Sequence, residues 1–591
     1  MIRKSTRAGI AGAAAVLAAL LCLVPGVGNL PTARAEPAPS DKTSAKEAKR
    51  VDSVPTPRLN WYPCNDYDGA QCATVKLPLD YDKPNGAKVE LALLKMPATD
   101  PDHKVGSIFV NPGGPGGSAV DFAASAPYLF NRSITGKFDV IGIDPRGIGS
   151  SDQVTCFPDA RRQQRVLNKL DMAFPVKNKQ VTRYSSGSEE LGKACSDYGK
   201  KLAGAMSTAE DARDMDVIRR AVGDRQLTYI GFSYGTYLGQ VYATMFPDRV
   251  RSMVIDGVLD PVAWAGTAAT RDTPQTLRVP SGEGSYRALK EMLRRCDAVG
   301  SKKCSFASTV DDQTTLQKFD ALAALMRKKP IVIDDVEGNP YSVDYATMIS
   351  TVLDDLYDPA GSEPLTDNLS LLWKFSGLEK NAVAIPAADQ AAARKRFGRA
   401  AKPYGFPYDN SLEAFTGVLC TDSMNPSKVS AWPPAIKQAD PAAKYFGELW
   451  AWSSAPCAGS TWTVTDEDAY RGPFDKKTAG PVLVIGDYWD PATNYKSAVA
   501  AAGLLGNSRL LLSDSWGHTA YGTSACVNQA VTTTLRSVKL PAKGTRCVGD
   551  VQPFTDPQTP EMAQRRTQRV TGIDPAAVDS ALRDHRMPGR F

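Results

Sequence analysis

Residues 227–239 read L-T-Y-I-G-F-S-Y-G-T-Y-L-G. The first residues alternate and are β-prone, glycines stand two before and two after a serine, and a helix-compatible run comes next. The pattern predicts a strand, a tight turn with Ser233 at its apex, and a helix: a nucleophile elbow. A turn that tight forces Ser233 into a strained backbone conformation and holds its hydroxyl out of the sheet. Gly231 and Gly235 suit it because a Cβ would collide where strand and helix converge. G-x-S-x-G alone is weak evidence, since chains of this length carry it by chance. Here it occurs once, in strand–helix context, and the rest of the chain must supply partners.

With 591 residues the chain is too long for one ordinary core, so at least two compact units are expected. Arg3, Lys4 and Arg7 precede an apolar run at 8–23, and Ala33-Arg34-Ala35 comes after it. That reads as a signal peptide, residues 1–35, cut after Ala35. The protein is then secreted, extracellular or held at the cell wall. No later segment is apolar enough to span a bilayer. Excision removes four basic residues and no acidic one, lowering the formal net charge from +6 to +2. Nothing basic enough to bind nucleic acid remains.

Apart from Cys22, ten cysteines are present, an even number that suits disulfides in an exported chain. Adjacency suggests Cys64–Cys72, Cys156–Cys195, Cys296–Cys304, Cys420–Cys457 and Cys526–Cys547. No C-x-x-C spacing and only three histidines disfavour zinc. No metal and no cofactor is expected.

Residues 36–58 are rich in Pro, Ala, Ser and Lys and lack periodicity, so they read as a flexible leader or pro-segment. Strands are expected at 74–79 and 89–94, with Pro78 marking an edge. Buried strands at 106–110 and 138–143 end in Asn111-Pro112-Gly113-Gly114-Pro115-Gly116-Gly117-Ser118 and in Asp144-Pro145-Arg146-Gly147. A helix at 208–222 leads into the elbow strand, and another strand is expected at 252–257. Strands alternating with helices imply a largely parallel sheet, with ligands at the strands' C-terminal ends.

In this order, V-N-P-G-G-P-G-G-S, D-P-R-G-I-G-S-S and G-F-S-Y-G-T-Y-L-G resemble the α/β-hydrolase fold. Within it, the sequence resembles the secreted tripeptidyl aminopeptidases related to proline iminopeptidase, over roughly residues 59–550. The resemblance implies an α/β class: a mostly parallel sheet flanked by helices, with a large, mainly helical lid inserted. The expected divisions are a first hydrolase part at 59–257, a lid at 258–478, a second hydrolase part at 479–544 and a C-terminal tail at 545–591. Amphipathic helices at 286–298, 315–328 and 386–401 fit the lid. So do the aromatics Tyr445, Phe446, Trp450, Trp452 and Trp462, any single tryptophan being more often core than cleft.

In this fold the triad runs in chain order serine, acid, histidine, each just past a strand end. Ser233, Asp490 and His518 satisfy both conditions. His103 lies in a polar surface turn and His585 in the tail. Asp487 stands three residues before Asp490, but Asp490-Pro491-Ala492-Thr493 matches the family's acid turn. Asp144 breaks the order, and Asp256 lacks that turn. The backbone N–H of Tyr234 and that of Gly113 or Gly114, with Gly114 favoured, would form an oxyanion hole.

The resemblance implies an exopeptidase acting on peptides with a free N-terminus and releasing tripeptides. A carboxylate must then hold the substrate's ammonium, and Asp422 and Glu448 are the candidates. The alternatives are a proline iminopeptidase or esterase of the same fold and a catalytically inactive peptide-binding protein. Peptides are the expected partners, and a monomer the expected state.

Overall fold

Apolar residues alternating along buried strands send neighbouring side chains to opposite faces, and both faces here are covered. The computed structural model describes residues 39–308, 313–334, 340–378, 385–397, 408–439 and 441–555, which from Ser40 onward belong to one compact unit. The signal-peptide reading, the start of the leader and His585 lie outside the described residues.

The strands are β1 (Tyr62–Pro63), β2 (Gln71–Pro78), β3 (Lys88–Met96), β4 (Gly106–Asn111), β5 (Phe138–Ile143), β6 (Leu227–Phe232), β7 (Val250–Asp256), β8 (Ile331–Asp334), β9 (Pro340–Val343), β10 (Val482–Trp489), β11 (Ser508–Trp516) and β12 (Arg546–Val548). Ten form one sheet in the order β1-β2-β3-β5-β4-β6-β7-β10-β11-β12, while β8 and β9 pair as a separate hairpin. From β5 to β12 the pairing is parallel, and β1–β3 form an antiparallel margin. Ile108, Val110, Ile230, Leu483 and Ile485 pack on one face. Phe109, Ile141, Tyr229 and Val484 pack on the other.

The polypeptide leaves the sheet after β7 and returns beside it at β10, with Met253 opposite Val482. Described residues in between form a cap that meets Ser233, Ala492 and His518, at the C-terminal ends of β6, β10 and β11. A further apolar cluster holds it together, with Leu289, Leu293, Phe319, Ile349 and Leu365 meeting Ala492 and Trp516 of the hydrolase loops. Of the expected lid helices, Ser281–Val299 and Thr315–Lys328 form, and the third is described as Ala387–Phe397. Trp452 and Trp462 are core residues, whereas Trp450 also lines a cavity.

Three features depart from the sequence reading. Residues 157–203 are not plain hydrolase core. Their helices Ala160–Leu170 and Asn178–Asp197 are tied to the cap helix Ser411–Asp422, where Glu413 accepts from Cys156 N at 2.7 Å and Gln163 Nε2 at 2.8 Å. The expected tail begins with β12, which pairs with β11 and carries Cys547. The expected flexible leader contains helix α1 (Ala45–Asp52), whose N-cap Ser44 accepts from Glu47 N.

Helix α1 is held by charge. Arg50 binds Asp82 and Asp468, each at 2.6 Å, and Glu47 binds Arg213 at 2.8 Å. Arg213 belongs to α2 (Thr208–Ala221), a helix rich in charges yet buried, because the charges face one another. Arg213 pairs with Glu210, and Arg146 pairs with Glu210 and with Asp214. Arg146 also donates to the carbonyl oxygens of Pro78 and Leu79, fastening the end of β2. β1 covers β2 only at Gln71 and Cys72, so among the described residues Pro78 pairs with Lys88 of β3 and has no strand on its other side. The five disulfides are the pairs expected from adjacency along the chain. Among the described residues no helix is long and apolar enough to cross a membrane.

Arg213→Ala takes one of two guanidinium partners from Glu47, which keeps Arg50, and from Glu210, which keeps Arg146, so the loss should stay below the roughly 3–5 kcal/mol of a fully stranded buried charge. Limited proteolysis read by mass spectrometry should then cut within residues 45–52 of the variant and spare the parent. Burial pushes Glu413 up to about 7, although Tyr408, Cys156 and Gln163 hydrogen-bond to it. Because the folded value lies above the unfolded one, its stabilisation is complete below about pH 4 and is lost as pH rises through about 7. The Tm should therefore fall between about pH 5 and pH 8, and fall less in Glu413→Gln.

Candidate active site

The elbow is built where β6 meets helix α3 (Tyr234–Met245), a helix buried on every side. Ser233 has φ 54° and ψ −124°, a conformation costing about 1–3 kcal/mol for a non-glycine residue. Its flanking residues Phe232 and Tyr234 are both buried, each worth about 1.5–3 kcal/mol, which outweighs that strain. Ser233 N also donates to Asp256 O of the neighbouring strand at 3.0 Å. At Gly235 a Cβ would stand 2.7 Å from Asn111 O, so the helix can approach the β4 loop only as glycine.

The register sets that loop beside the elbow, with Asn111 opposite Gly231. Gly113 N donates to Asn111 Oδ1 at 2.9 Å and is engaged. Gly114 lines the cavity in front of Ser233. Tyr234 opens its helix, so its N–H has no acceptor within it.

At the end of β10, Asp490 lies 2.9 and 3.1 Å from His518 Nδ1 through its two oxygens. It also accepts from Ala492 N, Thr493 N, Thr519 N and Thr493 Oγ1, the last at 2.6 Å. Burial alone would raise this carboxyl, but the neighbouring His518 and the hydrogen bonds hold it below the usual aspartate range. Asp487 is different. Burial and the nearby Asp490 push it well up, and it accepts from Trp489 N within its own turn. Asp256 accepts from Ala520 and Tyr521 N–H, is pushed up to about 7 by burial, and fixes the loop beyond His518. Asp144 holds Ser118 Oγ, Val120 N and Ser150 N, away from any histidine.

Two neighbours of His518 escape a reading of the sequence. Thr493 is the last residue of the D-P-A-T turn, and its hydroxyl steers Asp490, a role that a threonine in a turn does not announce. Tyr357 ends a cap helix, Tyr345–Tyr357. Its carbonyl accepts His518 N–H at 3.0 Å, and its ring lies edge-on to the imidazole, centroids 5.0 Å apart. Only the tertiary fold brings it there.

Ser233 and His518 line one cavity, bounded by Pro112, Leu259, Trp264, Val279, Phe415 and Leu419 among others. Neither carboxylate expected to hold an ammonium is in its lining. Asp422 is buried behind it, taking hydrogen bonds from Thr208 N, Thr208 Oγ1 and the Trp264 indole. Glu448 is paired with Arg327 at 2.5 Å. Position along the chain carries no sign of these partners. Glu210, Asp466 and Asp468 bring ligand oxygens within 4.8 Å of one another, but arginines already neutralise Glu210 and Asp468.

Comparison with known proteins agrees with this architecture. Residues 106–354 match the family model described as alpha/beta hydrolase fold, and residues 443–547 match that of TAP-like protein. Carboxylesterase B of Mycobacterium tuberculosis is 31% identical over 540 residues, 88% of this chain and 96% of that protein. Serine protease Hip1 of the same organism is 28% identical over 508 residues, covering 83% and 91%. The tripeptidyl aminopeptidase of Streptomyces lividans is 29% identical over 499 residues, covering 82% and 84%.

The close approach of the two loops gives a test. With φ +100° at Gly113, an added Cβ would lie 2.5 Å from Phe232 O and 2.8 Å from Ser233 Cβ. Gly113→Ala should displace the elbow locally and abolish fluorophosphonate labelling of the protein, while thermal melting shows it still folded.

Proposed function

From the premise that this chain belongs to the α/β-hydrolase family and is a serine peptidase of that fold, we propose that it is an exported exopeptidase releasing tripeptides from free N-termini through an acyl-enzyme on Ser233. The observation that carries the catalytic part is the ionised Asp490 against His518 Nδ1, beside the cavity that Ser233 also lines.

In this reading His518 takes the proton of the Ser233 hydroxyl as it attacks the scissile carbonyl, then delivers it to the leaving amine. Asp490 holds the imidazole in the tautomer whose Nε2 is free to accept, and stabilises the imidazolium that forms. Thr493 keeps that carboxylate in place. Water resolves the acyl-enzyme by the same route in reverse. Tyr234 and Gly114 donate their N–H groups to the oxyanion, since Gly113 N–H is engaged by Asn111. Loss of one such donor costs about 2.7–4 kcal/mol in the transition state. Export is supported by the n-region, apolar run and cleavage pattern at 1–35, and by five disulfides that need an oxidising compartment.

Release of tripeptides is supported by the likeness to the tripeptidyl aminopeptidase and by a cavity that a cap encloses. The similarity to a carboxylesterase supports a second reading, an esterase with the same triad.

Mass spectrometry of products from an unblocked peptide separates them. Stepwise tripeptides, with the N-acetylated peptide left intact, are expected. Single residues would replace tripeptide release with iminopeptidase-like trimming, and turnover of acyl esters without any peptide cleavage would favour the esterase. Asp490→Asn should lower kcat by about ten-thousand-fold on either substrate.

A further inference from the structure

Gln275 opens the short cap helix Gln275–Arg278, its backbone N–H donating to Asn425 Oδ1 at 2.9 Å. Its side chain is fully buried and lines the same cavity as Ser233 and His518. Neither Oε1 nor Nε2 has a hydrogen-bond partner among the described residues. An unsatisfied buried polar group costs about 1–3 kcal/mol, and this amide leaves two. A leucine or methionine of similar size would avoid that cost.

Much of the cavity wall around it is apolar. Leu259, Trp264, Val279, Phe415 and Leu419 present apolar surface. Thr276 Oγ1 is engaged by Ala451 O and Ser454 Oγ, and Thr493 Oγ1 by Asp490.

We propose that Gln275 is a substrate-binding residue whose carboxamide pairs with one backbone peptide group of the substrate, Nε2 donating to its carbonyl and Oε1 accepting its N–H. A carboxamide sets donor and acceptor side by side, which complements an amide unit. An ester has no N–H to give. An ammonium is a poorer occupant, because one neutral oxygen in an apolar wall does not replace its hydration. The cap thus recognises polypeptide backbone and favours amide over ester substrates at a site remote from the bond being cut. This deepens the exopeptidase reading and rests on it.

The test uses the full secreted chain with a tripeptide 4-nitroanilide, a series of analogues in which each backbone N–H in turn becomes an ester oxygen, and 4-nitrophenyl acetate. The acetate reports the Ser233 chemistry by itself, so its failure in the parent would strike the catalytic reading and not this one. The parent should cleave one analogue at least about tenfold less efficiently than the all-amide peptide, in kcat/KM. In Gln275→Leu and Gln275→Met that discrimination should vanish, and the ratio of peptide to acetate turnover should fall by a similar factor. If the parent discriminates at no position, or the variants keep the discrimination, the proposal is overturned. Loss of cooperative melting in both variants would assign the amide to the fold and overturn it as well.

Discussion

A serine held at φ 54° is the constraint around which the sheet is arranged. The conformation is unfavourable in isolation and survives only where both neighbours are locked. Here β6 enters between β4 and β7, and α3 leaves through the interior, so neither side of the turn can relax. The hydrogen bond from Ser233 N to Asp256 O joins the turn to the strand beside it. Asp256 also uses its side chain to hold the backbone after His518. One residue thus connects the serine loop with the histidine loop, although it takes no place in the proton path.

The carboxylates at the strand ends show how environment separates residues of one type. Asp487, Asp490 and Asp256 are all fully buried. Asp490 alone faces the imidazole, and the attraction overcomes desolvation. The other two accept backbone N–H groups and are driven upward, toward the neutral form. Driving these two neighbours toward the neutral form lessens the repulsion they exert on Asp490, whose carboxylate faces His518. Along α2 guanidinium groups oppose the buried Glu210, and burial still pushes its carboxyl up to about 8.

Features dictated by local geometry are legible in the sequence, and features that depend on distant partners are not. The elbow has a signature because steric crowding dictates glycine there, and the sheet has one because burial on both faces demands apolar runs. The contact of Asp490 with His518 can be anticipated from chain order, strand ends and the resemblance of Asp490-Pro491-Ala492-Thr493 to the family's acid turn. Adjacent cysteines close short loops and find one another, which is why their pairing is readable. By contrast, α1 looks like solvated linker because its partners Arg213, Asp82 and Asp468 lie far along the chain, and ion pairs leave no periodicity. The helices of 157–203 give no sign of their place because their anchoring group, Glu413, arrives from the far side of the cap. Asp422 and Glu448 have the right chemistry for an ammonium, but Trp264, Thr208 and Arg327 reach them first.

The latched helix α1 has a consequence for the fate of the molecule itself. On the proposed reading, in which an exported copy trims free amino ends, the amino end of each copy is itself a substrate for the others. From Asp41, whose N–H is tied to Lys477 O, through Thr43 on Asp248 and into α1, this segment is fastened against the body of the protein. Threading it into an enclosed cavity would mean peeling that strap away first. Erosion by sister molecules should therefore halt at the strap, leaving a ragged but self-limiting front edge.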